Sequence, residues 1–178
     1  MAITDLDADA LSRAIHAKDV SCRETMRATL DRIAAVNPRV NAIVSLQDED
    51  DLLRQADARD AALARGESCG WMHGMPQAIK DAAETQGIAT TLGSPLLADH
   101  VPRQDALMVE RMKASGCIVV GKTNTPEFGL GSHTFNEVFG VTRNAFDAER
   151  SAGGSSGGAA VALATHMLAV ADGSDFMG

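Results

Sequence analysis

Apolar residues change their spacing along this chain, and the change divides it in two. Leu11, Ala14, Ile15 and Ala17 recur at helical intervals and predict a first helix that stops before Ser21. Ser21-Cys22-Arg23-Glu24 sets a serine and a glutamate at the separation that lets each side chain satisfy the other's backbone amide at a helix start. The helix it opens has one apolar face, with Met26, Leu30 and Ile33, and Asn37-Pro38 is expected to close it. Residues 40–46 read as a short β-like run. A third helix, rich in Ala, Asp, Arg and Leu, follows to Gly66, so residues 1–65 are predicted to be a helical part.

Beyond Gly66 short apolar runs alternate with Gly, Pro and Thr loops. Residues 105–115 predict a helix through Leu107, Val109 and Met112, and Cys117-Ile118-Val119-Val120 a buried strand. A long polar, glycine-rich loop is expected over 121–158, then a small-residue helix at 159–167 and a short strand at 168–171. Alternating β and α segments predict an α/β fold with helices packed on a sheet. Neither a repeat nor a linker interrupts it, which predicts one domain over 1–178 whose last visible element is a strand edge.

Composition narrows the function. Hydrophobic residues are 45% of the chain but aromatics only 3%, with no Tyr, so the core must come from Ala, Leu, Val, Ile and Met. Sixteen basic against 24 acidic residues give a net charge of -8, which argues against nucleic acid as a direct partner. Cys22, Cys69 and Cys117 lack CxxC spacing and suggest neither a disulfide framework nor a zinc site; no metal or cofactor is expected. Residues 1–7 carry two acids and no basic n-region, and no stretch approaches the ~20 apolar residues of a membrane span. A soluble, cytoplasmic protein without a membrane partner is the expectation.

Two short motifs compete for the chemistry. Gly116-Cys117-Ile118-Val119-Val120-Gly121-Lys122-Thr123 fits the phosphate-loop pattern, but its middle residues favour a strand, and Pro126 is a poor helix interior. Gly153-Gly154-Ser155-Ser156-Gly157 fits the nucleophile-elbow pattern, but a polar stretch precedes it where an elbow needs a hydrophobic strand. His166, placed on the following helix, points away from Ser155 and is read as structural.

A third reading uses nearly the whole chain. Gly153-Gly154-Ser155-Ser156-Gly157-Gly158-Ala159-Ala160, the upstream Gly121-Lys122-Thr123-Asn124 and Glu127-Phe128 loop, Gly140-Val141-Thr142-Arg143-Asn144, and Gly74-Met75-Pro76-Gln77-Ala78-Ile79-Lys80-Asp81 together resemble the amidase signature family. The order matches too, from the N-terminal helices and the Asn37-Pro38-Arg39-Val40-Asn41-Ala42 turn onward. The resemblance implies a mixed β-sheet sandwiched by helices, incomplete in this chain at its C-terminus, with a start to the α/β core at residue 66.

It also implies a Ser–Ser–Lys catalytic unit, with Lys80 as base and Ser155, in a cis peptide, as the bridging serine. The nucleophile would be the residue after Gly178, so the chain is expected to be either a fragment or interrupted at a modified or cleaved serine. Backbone amides of Phe176, Met177 and Gly178 would form the oxyanion hole, with Ser132, Ser156 and Asp175 in support; His133 is read as structural. A lysine serves as base only when neutral, and moving it from about 10.4 to near 7.5 requires about 4 kcal/mol of penalty on the charged form. Burial at the end of the apolar run Met75, Ala78, Ile79 would supply that; the competing local reading is a solvent-facing Lys80 salt-bridged to Asp81. The activity implied is hydrolysis of a small carboxylic amide, cyclic or aryl amides included, with a homodimer allowed. The alternatives are the glutaminase subunit of a tRNA-dependent amidotransferase, although Thr125-Pro126-Glu127-Phe128 departs from the loop expected there, and a catalytically dead fragment.

Overall fold

The structure, a computed structural model, describes residues 2–175. After a 3-10 turn at Ile3–Asp5 come α1 (Ala8–Ala17) and α2 (Cys22–Val40). At the start of α2, Ser21 Oγ accepts from the Glu24 amide at 3.0 Å, and the Glu24 carboxylate accepts from the Ser21 amide at 2.9 Å. The helix runs through Asn37-Pro38 rather than stopping there. A proline near a helix end removes one donor, and Asn37 organises the exit: its Oδ1 accepts from the amides of Ala42 and Ile43 at 2.9 and 2.8 Å. Asn41, left-handed at φ 51°, then turns the chain into β1 (Ile43–Val44).

Helix α3 (Glu49–Ala64), capped by Asp48, packs on α2. Met26, Leu30 and Ile33 of α2 and Leu52, Leu53 and Ala56 of α3 are buried in one apolar cluster with Ile79, Ile118 and Val120 of the strands that follow. The sheet is formed by β1, β2 (Pro76–Lys80) and β3 (Ile118–Thr123) in the order β1-β3-β2, with α4 (Leu107–Ala114) leading into β3. Strand β1 is antiparallel to β3 and β2 parallel to it, so the sheet is mixed. A small hairpin of β4 (Phe135–Asn136) and β5 (Gly140–Val141) and the helix α5 (Gly157–Ala164) complete the described elements. Helices α2, α3 and α5 all pack on the sheet, as an α/β layer requires.

Three expectations shift. The stretch 121–158 is not all loop, because β3 continues to Thr123 and the β4–β5 hairpin lies within it. Helix α5 starts at Gly157 and ends at Ala164; His166 lies past its end at φ 58°, and the Met167 amide turns back to the Ala162 carbonyl at 2.9 Å. Residues 168–171 form no strand, and just beyond them the Asp172 side chain accepts from the Lys80 amide.

The β2–β3 register decides which face each lysine uses. Pro76 pairs with Ile118 and Gln77 with Val119, and that pairing continued would set Lys80 beside Lys122. An irregularity between Gln77 and Ala78 shifts it, so that Ile79 pairs with Lys122 and Lys80 with Thr123. Paired residues share a face and successive residues alternate, so the bulge sends the two lysines to opposite faces. A glycine sits in the shifted stretch for a steric reason: a Cβ at Gly121 would lie 2.9 Å from the Val44 carbonyl oxygen.

Candidate active site

Lys80, the last residue of β2, is 2% exposed. Its Nζ donates to Ser155 Oγ at 2.7 Å, Ser174 Oγ at 2.7 Å and Ser156 Oγ at 3.0 Å. Three hydroxyls suit an ammonium with three protons, but they also suit a neutral amine, which donates twice and accepts once from a hydroxyl. Burial pushes Lys80 below the ordinary lysine value, while the charge of Asp172 pulls it back up. Ser156 is the N-cap of α5, and the positive end of the helix dipole there disfavours a second positive charge.

The backbone around the serines is held from several sides. The Gly154–Ser155 peptide is cis. Thr125 Oγ1 donates to the Ser155 carbonyl at 3.2 Å, Thr134 Oγ1 to the Gly153 carbonyl at 3.0 Å, and the Gly154 amide to the Ser132 carbonyl at 2.8 Å. Behind them Asn136 Nδ2 donates to Asn124 Oδ1 at 2.7 Å, and Asn124 Nδ2 to Thr142 Oγ1 at 3.0 Å. Two glycines open α5 because there is no room for more. A Cβ at Gly157 would lie 2.1 Å from Thr134 Oγ1, and one at Gly158 2.3 Å from the Asn124 backbone nitrogen. The serines open onto a cleft of about 820 Å³, walled by residues 129–132 and 153–156 with Ala160, Ser174 and Asp175. Lys80 lies beneath it, reaching the cleft through hydroxyls.

Of the residues singled out from sequence, Lys80, Ser155 and Ser156 therefore meet within hydrogen-bonding distance. Ser132 reaches the cleft but contributes its carbonyl to Gly154; its hydroxyl pairs with His133 Nδ1 at 3.2 Å. Asp175 lies on the cleft wall. Phe176, Met177 and Gly178 lie outside the described residues. Asp81 does not pair with Lys80. It turns the other way and accepts from the Thr91 amide at 3.0 Å and Thr91 Oγ1 at 2.6 Å. Among the described residues no cluster of His, Cys, Asp or Glu could hold a metal ion, and no helix is long and apolar enough to cross a membrane.

Two contacts escaped the sequence reading: Ser174 beside Lys80 Nζ, and Asp172, whose carboxylate accepts from the Lys80 amide. Both lie more than ninety residues from Lys80 along the chain. Their hydroxyl and carboxylate chemistry was visible, their destination was not. Lys122, from the phosphate-loop match, is fully buried in β3 and donates to the Ala83 carbonyl, Thr85 Oγ1 and Thr90 Oγ1 at 2.6, 2.8 and 3.1 Å. Its ammonium is committed to the protein's own oxygens.

The family model for Amidase matches residues 24–178. The chain belongs to this family, the amidase signature enzymes. Among curated relatives, a glutamyl-tRNA(Gln) amidotransferase subunit from Acidothermus cellulolyticus is 46% identical over 93% of this chain and 32% of its own length. Among solved structures, a fatty acid amide hydrolase superposes with a TM-score of 0.92 at 27% identity, over 98% of this chain and 31% of that one. The 6-aminohexanoate cyclic dimer hydrolase superposes at 0.83 with 32% identity, over 96% and 34%. The chain spans about a third of the length of the curated relatives it matches.

Proposed function

We propose that this chain carries the base and the bridging serine of an amide-cleaving centre, and that the whole protein is the glutaminase-type subunit of a tRNA-dependent amidotransferase. The observation that supports the chemistry best is the buried Lys80 Nζ at 2.7 Å from Ser155 Oγ. Neutral Lys80 takes the Ser155 proton as Ser155 takes one from the nucleophilic serine of the intact protein, expected after Gly178. The serine oxygen bonds to the amide carbon, backbone amides of that segment hold the oxyanion, and the carbon–nitrogen bond breaks as Lys80 returns its proton through Ser155 to the departing nitrogen. Water then releases the acyl group by the same relay.

For the substrate, the 46% identity to an amidotransferase subunit outweighs the 32% identity to a cyclic-amide hydrolase, and moves the preference from a free small-molecule amidase to the subunit reading. Glutamine would then be the amide and ammonia the product, with partner subunits receiving it. A second reading, hydrolysis of a cyclic or other small amide without partners, is favoured by the structural likeness to the cyclic dimer hydrolase.

Ammonia release from glutamine by the full-length protein, with and without co-purified subunits, separates the two. Lys80→Ala and Ser155→Ala are each expected to lower turnover by about 10³-fold or more. Near-normal release in either variant would sink the relay, and turnover of small amides but not glutamine would select the second reading.

A further inference from the structure

Strand β2 is an outer strand of the three-stranded sheet. Amides along a parallel strand point alternately to its two sides. The Asp81 amide points toward β3, donating to the Thr123 carbonyl at 3.0 Å, so the Lys80 amide points to the open side. Among the described residues no strand meets it there. Instead both carboxylate oxygens of Asp172 accept from it at 3.1 Å. Two residues on, Ser174 Oγ lies 2.7 Å from Lys80 Nζ, and the Ser174 amide donates to Ser156 Oγ at 3.2 Å. One residue of β2 is thus gripped at its backbone by Asp172 and at its side chain by Ser174, and the segment between has little freedom to slide.

We infer that Asp172 is a positioning residue for the Lys80 relay: its carboxylate stands in for a strand partner on the open edge of β2 and so fixes the 172–175 segment against the base. This rests on the Lys80–Ser155 reading above. It also assigns a reason for an acid at this depth. Burial pushes Asp172 above the usual carboxylate range, and what favours its charge is the Lys80 amide, its own amide and the two lysines, Lys122 from β3 and Lys80 from β2. The carboxylate therefore acts on Lys80 twice, by holding its backbone and by favouring its protonated form. Asn at 172 keeps an oxygen for the Lys80 amide and drops the charge; Ala drops both.

The two effects separate in the full-length protein. The titration midpoint of Lys80 is followed by the NMR shift of its ¹³C-labelled ε-carbon, assigned with Lys80→Ala, and turnover is measured on L-glutamine and on a panel of small amides. Asp172→Asn is expected to lower the midpoint by about half a unit or more while keeping kcat within ~3-fold at pH above it. Asp172→Ala should lower the midpoint similarly and reduce kcat by ~10-fold or more, with KM little changed. A merely structural aspartate would leave the midpoint where it was and lose activity only with the folded fraction, and that result overturns the inference. If Ala does not fold, the midpoint in Asn decides. Normal turnover in Lys80→Ala would instead overturn the amide-cleaving reading, while the midpoint still reports whether Asp172 and Lys80 are coupled.

Discussion

Lys122 is buried as deeply as Lys80 yet has no place in the relay. Burial lowers it to about 8, against the opposing pull of Asp81 and Asp172. A lysine depressed in the folded state is held below the unfolded chain's value of about 10.4, so between those two pH values the unfolded state binds more protons and stability rises with pH. Below pH 8 the buried ammonium is thus less favourable than the neutral amine would be, by an amount on the order of 3 kcal/mol. Lys122→Met is expected to abolish the rise between pH 8 and 10, measured by urea unfolding across that range. It should also destabilise the protein at pH 7 by ~2 kcal/mol, because Thr85, Thr90 and the Ala83 carbonyl lose a charged donor. At this scale the sequence was informative about chemistry and silent about direction. Adjacent Lys80 and Asp81 read as a local ion pair, but a strand sends neighbours to opposite sides, and Asp81 found the amides of Thr91 and Gly93.

Elements with local causes could be read from the chain. The α2 cap depends on residues three apart, and the hydrophobic faces of α2 and α3 depend on a spacing that any window of the sequence displays. Elements with distant causes could not. Residues 168–171 look like a strand but form none, and the Lys80 amide beyond them is met by the Asp172 side chain, a contact 92 residues apart in the chain. The crowding at the start of α5 belongs to the same class, since Gly157 and Gly158 have no room for a Cβ for reasons that lie in Thr134 and Asn124. Gly158→Ala tests this at the level of the helix. Its methyl would press on backbone rather than on a yielding side chain, so α5 must withdraw from the end of β3 and carry Ser155 and Ser156 with it. The expected outcome is a loss of about 2–3 kcal/mol in stability and a ~100-fold fall in kcat, by chemical denaturation and steady-state kinetics. Full activity with lost stability would show that the serines are held independently of α5.

Taken whole, the described residues place a thick apolar layer of α2 and α3 on the sheet and gather the polar work near the ends of β2 and β3. The order of motifs along the chain was enough to anticipate the family and its mixed sheet, because the resemblance ran in sequence through nearly every element; the cleft followed once the strands were seen to pair. The bulge between Gln77 and Ala78 was invisible, since one extra residue in a run of buried Ile and Val leaves periodicity unchanged. Yet the slip it marks keeps two charges apart. Inserting one alanine between Gly121 and Lys122 would, with the pairing after the bulge continued, carry Lys122 alongside Lys80, so the insertion is expected to leave no folded protein at pH 7, and any that folds should regain stability above pH 10, followed by thermal melts. A lineage carrying this sheet can therefore exchange side chains along β3 far more freely than it can change the strand's length. Here the spelling of the strand is negotiable, and its metre is not.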